Sequence, residues 1–341
     1  MMTGRENIKR AVTFGSPAYL PVYFSVNCNW LQEQNEAKLE RIRELQSLFP
    51  INRLSGMDYW PPRQEETENS ILRWKDYWGV GWLDDGHGAR TCFHPLEEGY
   101  HLMDSYPFPD PDGPGTFSET DEKLLDRNDK YVIGQVWFTL FERLWMLRGF
   151  QNMLTDPYLE EENFSLLRDR ILAFNLRILD RWIQRRVDAI YFSDDWGSQR
   201  GLLMNPEDWR RHYKPAYAAM FKKVRDAGVH VWMHLCGDVT AILPDLIECG
   251  LHVLNPIQPQ AMDTRELSRL YGGAVAFHGG VDVQGTMVNG SPRDVKAEVH
   301  RLVELFGSYN GGYIGGTSHS VMPETPLDNV IALYESFLEY Q

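Results

Sequence analysis

From about residue 130 onward the chain alternates between two hydrophobic periods, and that alternation restricts the fold more than any other feature. Short apolar runs at 131–138, 187–193, 230–236, 253–257, 275–279 and 313–317 have the length and β-branched or aromatic content of buried strands. Segments at 161–185, 206–227, 240–248, 264–271, 292–306 and 326–340 carry helical periodicity instead. Strands alternating with helices over short connections imply a parallel sheet with right-handed crossovers. Upstream, 20–26 (LPVYFSV) and a segment around 55–60 supply two more strands, which brings the count to eight. Eight favours a closed (β/α)8 TIM barrel over an open doubly wound sheet. No G-x-G-x-x-G opens any strand-to-helix turn, which also weighs against a dinucleotide fold. The expected organisation is one α/β domain over 1–341, with the irregular, proline-rich 61–130 after the second strand as an insertion or lid. Within it, 71–82 reads as an aromatic-rich hairpin and 105–120 as loop.

Charge and composition exclude several classes. The balance is 34 − 48 = −14 with no basic stripe, so phosphate backbones are repelled and nucleic acid is not expected as a partner. No apolar run reaches the ~18 residues that a membrane span needs, and the opening MMTGRENIKRAVTFG lacks the apolar stretch of a signal peptide. Cysteines at 28, 92, 236 and 249 have no disulfide-like spacing, which suits a reducing cytoplasm.

The chemistry concentrates at the ends of the expected strands, where barrel enzymes carry their sites. In HVWMHLCGDVT, His234 and Cys236 stand two residues apart, so on a strand they share one face and offer two soft donors to one ion. Gly237 then permits a sharp turn. His319, beyond the last strand, joins them only if the barrel closes, giving a third ligand and leaving one zinc position open. A fourth ligand from water, Glu142 or Asp282 is left open. Other polar strand ends are Asp58, Asp194, Asp195, Asn255, Gln258, His278 and Asp282. Tyr59, Trp60 and Trp137 are candidates for an aromatic wall. Each has a plain structural alternative: the aspartates as helix caps or turn residues, His278 as a core histidine, the aromatics as packing.

The opening RENIKRAVTFGSPAYLPV, the middle segments HLCGDVTAILPDLIECGLHVLNPIQP and FHGGVDVQGTM, and the tail GYIGGTSHSVMPETPLDNVIALYESFLEY resemble the uroporphyrinogen decarboxylase superfamily in order and spacing. That resemblance implies a (β/α)8 barrel and one of two chemistries. True uroporphyrinogen decarboxylases carry an Arg-rich W-x-M-R-Q-A-G-R-like segment after the first strand, where this chain has YFSVNCNWLQ with no Arg at all. Their catalytic Asp would correspond to Asp58. The zinc-dependent methyltransferases that work with corrinoid proteins or coenzyme M carry H-x-C-G on the fifth strand, matched by His234 and Cys236, and a Cys near the final strand, replaced here by His319. One thiolate instead of two leaves a more Lewis-acidic zinc, suited to polarising a methoxy oxygen.

The resemblance thus implies a methyltransferase that moves a methyl group from a methoxy-aromatic or methylamine-type compound to a corrinoid on a separate partner protein. Zinc would sit on His234, Cys236 and His319. Asp194, as a catalytic residue, and Asp195 would orient substrate, with Asn255, Gln258 and Asp282 hydrogen bonding and Tyr59, Trp60 and Trp137 forming the π-wall. The alternatives are a decarboxylase using His319 with Asp58 or Asp194, and Arg148, Arg200 or Arg211 for carboxylate binding, or a ligand-binding barrel without catalysis.

Overall fold

The computed structural model describes residues 2–26, 35–50, 53–57, 64–68, 71–86 and 88–341. Seven parallel strands, Arg53–Met57, Tyr131–Val136, Ala189–Ser193, His230–His234, Val253–Ile257, Ala276–Gly279 and Tyr313–Ile314, pair in sequence order into one curled sheet. The eighth expected strand is an extended segment joined by parallel bridges, Val22 with Gly315 and Val26 with Val321. Its backbone bonds to the last strand include Tyr23 N–H to the Gly315 carbonyl at 2.8 Å and the Gly315 N–H to the Pro21 carbonyl at 2.8 Å. Among the described residues it has no backbone bond to Arg53–Met57. The Arg53 guanidinium lying over the Tyr23 ring spans that seam.

The strands alternate as their sequence demands when both faces of a sheet are covered. Val132, Val136, Ile190, Phe192, Val231, Met233, Leu254 and Phe277 point outward into the layer shared with the helices. Tyr131, Ile133, Ala189, Trp232, Val253, Ala276 and Ile314 point inward and fill the lower barrel. Higher on the same inward rows, the residue type changes to Gln135, Tyr191, His234, Asn255 and His278, which line a cavity. The switch from apolar to polar along one row of side chains is what makes a pocket rather than a solid core.

The bottom is closed by the helix Gly4–Val12, capped by Thr3, whose Ile8 and Val12 enter the inner apolar cluster. Asp188, just before the strand Ala189–Ser193, fixes that helix. Its carboxylate meets Arg5 at 2.8 Å and Lys9 at 3.0 Å and accepts the Val132 N–H at 3.0 Å. Burial works to raise the Asp188 pKa, but Arg5, Val132 and Lys9 outweigh it and hold the carboxyl below its ordinary value. A depressed folded-state pKa means stability that is present above the unfolded Asp value and is lost as pH falls through the folded one. Asp188→Asn is expected to cost roughly 2–3 kcal/mol at pH 7, below the full cost of breaking a buried pair because both cations are partly exposed. Urea unfolding should show the gap from the native chain closing as the pH falls below about 4.

Two readings need correction. The long segment 206–227 is two helices, Pro206–His212 and Lys214–Asp226, because Pro215 cannot donate into a continuing helix. The hairpin expected at 71–82 is part of a four-stranded antiparallel sheet in which Ile71–Lys75 pairs with Gln64–Glu68 and with Gly81–Asp84, and Gly81–Asp84 with Arg90–Phe93. No helix of the described residues is long and apolar enough to cross a membrane.

Candidate metal centre

His234 ends its strand facing the cavity, Leu235 faces away into the core, and Cys236 returns to the cavity side. The Cys236 Sγ lies 3.3 Å from the His234 Nε2. His319 comes from beyond the last strand, carried there by closure of the barrel, and its ring centroid is 6.3 Å from that of His234. One donor atom from each of the three lies within 4.8 Å of the other two. Ligands of a tetrahedral zinc stand about 3.5 Å apart, given bonds of about 2.0–2.3 Å, so the first pair is at coordination spacing and the more exposed His319 needs only a small approach.

The donor atoms are prepared by what stands behind them. The Asn255 Oδ1 accepts from His234 Nδ1–H at 2.9 Å and from the Tyr191 hydroxyl at 2.6 Å. The Asn255 Nδ2 donates to His278 Nδ1 at 2.8 Å, and His278 Nε2–H donates to the Tyr23 carbonyl at 2.9 Å. Read from the carbonyl, which can only accept, each partner's role is forced in turn. His278 is protonated on Nε2, the Asn255 amide is oriented with its oxygen toward His234, and His234 keeps its proton on Nδ1. The Nε2 lone pair therefore points at Cys236 and the cavity, as in metal-bound histidines whose other nitrogen donates to a fixed acceptor. Burial pulls the His278 pKa down to about 3, so that link of the chain stays neutral.

The thiol is set by a tight turn. The Cys236 N–H donates to Asp195 Oδ1 at 2.9 Å and the Gly237 N–H to Gln258 Oε1 at 2.5 Å, while Gly237 has φ +81°. Burial first, and the Asp195 carboxylate second, push the Cys236 thiol well above its ordinary pKa. Without a cation beside it the sulfur is a thiol, and a dication is what would make it a thiolate ligand.

The expected site residues divide sharply. Asn255 and Trp137 line the cavity with His234 and His319, and Cys236 stands beside them. Asp195 and Gln258 hold the turn that carries the sulfur. The structure does not bring Asp194 to the cavity. It is fully buried, accepts the backbone N–H groups of Leu140, Phe141 and Glu142 at 2.7–3.1 Å, and takes the Tyr217 hydroxyl bond as well. It caps the helix Phe141–Arg148, and burial raises its pKa to about 7 despite those donors. Asp282 is also buried, bonded to Gln260 at 2.6 Å and to the Gln284 N–H at 2.9 Å. Neither it nor Glu142 joins the three close donors among the described residues, whereas the Asp195 Oδ1 lies 3.8 Å from the His234 Nε2. Tyr59, Trp60 and Asp58 lie outside the described residues.

The arginines offered for a decarboxylase are engaged elsewhere. Arg148 is tied to Asp156 and to the Leu96 carbonyl, Arg211 pairs with Glu161, and Arg200 is exposed on a turn. The cavity, about 610 Å³, instead contains Arg53, which with Tyr191, Tyr23 and His278 went unassigned or undervalued in the sequence. The inward period of the strands signalled Tyr191 and His278; nothing in INRLSGM signalled Arg53.

Removing the acceptor behind His234 has a defined expected result. Asn255→Leu should weaken zinc binding about 10- to 100-fold, whereas Asn255→Asp, which keeps an oxygen there, should retain most of the affinity. Competition with a chromophoric chelator reads both.

The sequence profile of the family "Uroporphyrinogen decarboxylase (URO-D)" matches residues 132–340. A uroporphyrinogen decarboxylase of Thermus thermophilus is 27% identical over 193 residues, covering 56% of this chain and 53% of its own length. The methylcobamide:CoM methyltransferase MtaA of Methanosarcina barkeri is 26% identical over 158 residues, 46% of this chain and 43% of its own. The chain thus spans about half the length of the curated relatives it matches. A solved methyltransferase from Methanosarcina mazei superposes over 100% of this chain and 99% of its own with a TM-score of 0.71 at 16% identity, which speaks to the fold.

Proposed function

The chain belongs to the uroporphyrinogen decarboxylase (URO-D) family, and on that premise we propose that it is a zinc-dependent methyltransferase that moves a methyl group from a small methylated compound to a corrinoid protein. The observation that carries this reading is the tautomer of His234. A side chain serving only to pack the barrel has no need of a hydrogen-bonded chain through Asn255 and His278 that leaves one nitrogen bare beside a cysteine sulfur. The likeness to a methylcobamide:CoM methyltransferase supports it further.

Zinc on His234, Cys236 and His319 would supply Lewis acidity, lowering the charge on the oxygen that loses its methyl group. The residues of the chain do the rest. Asn255 holds the His234 ring, and Asp195 and Gln258 hold the Cys236 turn. Trp137, fixed by its Nε1–H bond to Gln135 at 2.9 Å, and Tyr191, with ring centroids 6.0 Å apart, wall the space beside the donors and exclude water from the substrate's body. A reduced corrinoid presented at the open mouth of the barrel would supply the acceptor for the methyl group, with the bonding pair left on the oxygen.

The test is methyl transfer from a panel of methoxy-aromatic and methylamine compounds to reduced cobalamin, followed by the loss of the cobalt(I) absorbance. Transfer that requires added zinc supports the reading. No transfer from any compound, together with carbon dioxide release from a porphyrinogen in the absence of metal and corrinoid, contradicts it in favour of a decarboxylase.

A further inference from the structure

Arg53 is the one cationic side chain lining the cavity among the described residues, and no carboxylate lines it with them. In a chain of net charge −14, where most other arginines of the structure meet an Asp or Glu, this one meets none among the described residues. Its guanidinium lies over the Tyr23 ring, and its Nε is shut off from solvent without a hydrogen-bond partner. Burial pulls its pKa down, and among the described residues the Tyr23, Tyr191 and Tyr131 hydroxyls work against the cost. An uncompensated guanidinium inside a barrel is expensive in a folded protein, and the groups beside it do not repay that expense.

Its depth adds a second constraint. Arg53 starts its strand and is in register with Tyr131, while Gln135, four residues further along that neighbouring strand, is in register with Tyr191 near the level of the metal ligands. The backbone of Arg53 therefore starts toward the barrel floor, and its guanidinium reaches the Tyr23 ring, which packs against His278, while the His234, Cys236 and His319 donors sit at the strand ends. A ligand that satisfies both ends is elongated, has an anion at one end, and passes between Tyr191 and Trp137. A carboxylate suits that end, since a guanidinium fork matches it through two parallel bonds, which a lysine would not do.

We infer that Arg53 is a carboxylate anchor and that the cavity takes a small methylated carboxylate of the methoxybenzoate type, with the carboxylate on Arg53 and the methyl-bearing oxygen at the His234–Cys236–His319 end. The assignment of the methyl end rests on the proposed methyltransferase activity; the anchoring of the anion does not. It also decides between the two substrate classes that the sequence leaves open, because a methylammonium cation would share the cavity with an unpaired guanidinium.

The experiment is calorimetric titration of the full chain with 4-methoxybenzoate and with its neutral isostere 4-methoxybenzamide, in the native protein, Arg53→Met and Arg53→Lys, each checked for folding by circular dichroism. The acid should bind the native protein about 10- to 100-fold more tightly than the amide, the range for a charge-assisted bidentate pair. Arg53→Met should abolish that preference, and Arg53→Lys should reduce it several-fold, which serves as the readout if the methionine variant does not fold. Equal binding of the two compounds, binding of neither at millimolar concentration, or a preference that survives Arg53→Met overturns the inference. Methyl transfer is scored separately. A preference that depends on Arg53 in a protein that transfers no methyl group sinks the activity but keeps the anchor, and transfer without charge preference does the reverse.

Discussion

Cys236→Ser is expected to cost the protein its zinc while leaving it folded. Serine is nearly isosteric, and the backbone N–H of position 236 keeps its bond to Asp195, so the turn has no reason to open. The loss falls on the metal. A neutral hydroxyl replaces the one donor able to become an anion among the three close ligands, and it replaces the soft sulfur that zinc prefers. Complete zinc sites are worth about 10–16 kcal/mol over four ligands, so one thiolate accounts for roughly two orders of magnitude or more in affinity. Chelator competition should show that drop with an unchanged circular dichroism spectrum, and zinc-dependent methyl transfer should vanish with it. A variant that binds zinc as the native chain does would remove Cys236 from the site.

Gly237→Ala should be nearly as damaging with all three ligands still present. The residue has φ +81°, and an added Cβ would fall 2.3 Å from the Gly197 carbonyl carbon and 2.5 Å from the Ser198 nitrogen. Those are backbone atoms of the loop beyond the strand Ala189–Ser193, which the Asp238 N–H also grips through the Ser198 carbonyl at 2.8 Å. They cannot rotate aside as a flexible side chain can. The contact is mutual, since a Cβ on Gly197 would lie 2.5 Å from the Cys236 carbonyl oxygen. The cost is expected to be about 3 kcal/mol or more in stability, from strain and overpacking together, with the Cys236 sulfur displaced and zinc affinity lost. Gly201→Ala is the matched control. It has φ +131°, which strains any side chain, but open space around its Cβ, so it should cost about 1–3 kcal/mol from strain alone and leave zinc binding intact. Urea unfolding alongside metal titration separates the two. Equal effects from both substitutions would mean that the interlocked turn does not position the sulfur.

Much of this architecture was legible because period-2 runs of apolar residues carry their own geometry. The inward and outward rows of Tyr131–Val136 or His230–His234 follow from alternation alone, and so does the shared face of His234 and Cys236. His319 was legible only through the barrel, since closure is what brings the last strand's end beside the fifth strand's. What sequence could not resolve depends on parity and on distant partners. Asp194 and Asp195 are neighbours in the chain but point to opposite sides of the strand end, one back to cap Phe141–Arg148 and the other toward the Cys236 turn. That helix and the next, Phe150–Leu159, went unread because neither is capped by the residue that precedes it in the chain, and the carboxylate that caps the first comes from Asp194, 52 residues beyond Glu142. Arg53 was invisible for a related reason: its significance lies in what does not surround it, and only the folded barrel reveals that.

The central claim is that one sulfur and two imidazoles at the barrel mouth hold a zinc ion. Zinc K-edge X-ray absorption on the metal-loaded native chain and on Cys236→Ser tests it most directly. The expected result is one zinc per chain, with a single sulfur at about 2.3 Å and nitrogen or oxygen neighbours at about 2.0–2.1 Å, and loss of the sulfur shell in the variant. A native protein that takes up no stoichiometric zinc, or holds it in a shell of nitrogen and oxygen alone, would contradict the metal centre and the methyltransferase reading built on it.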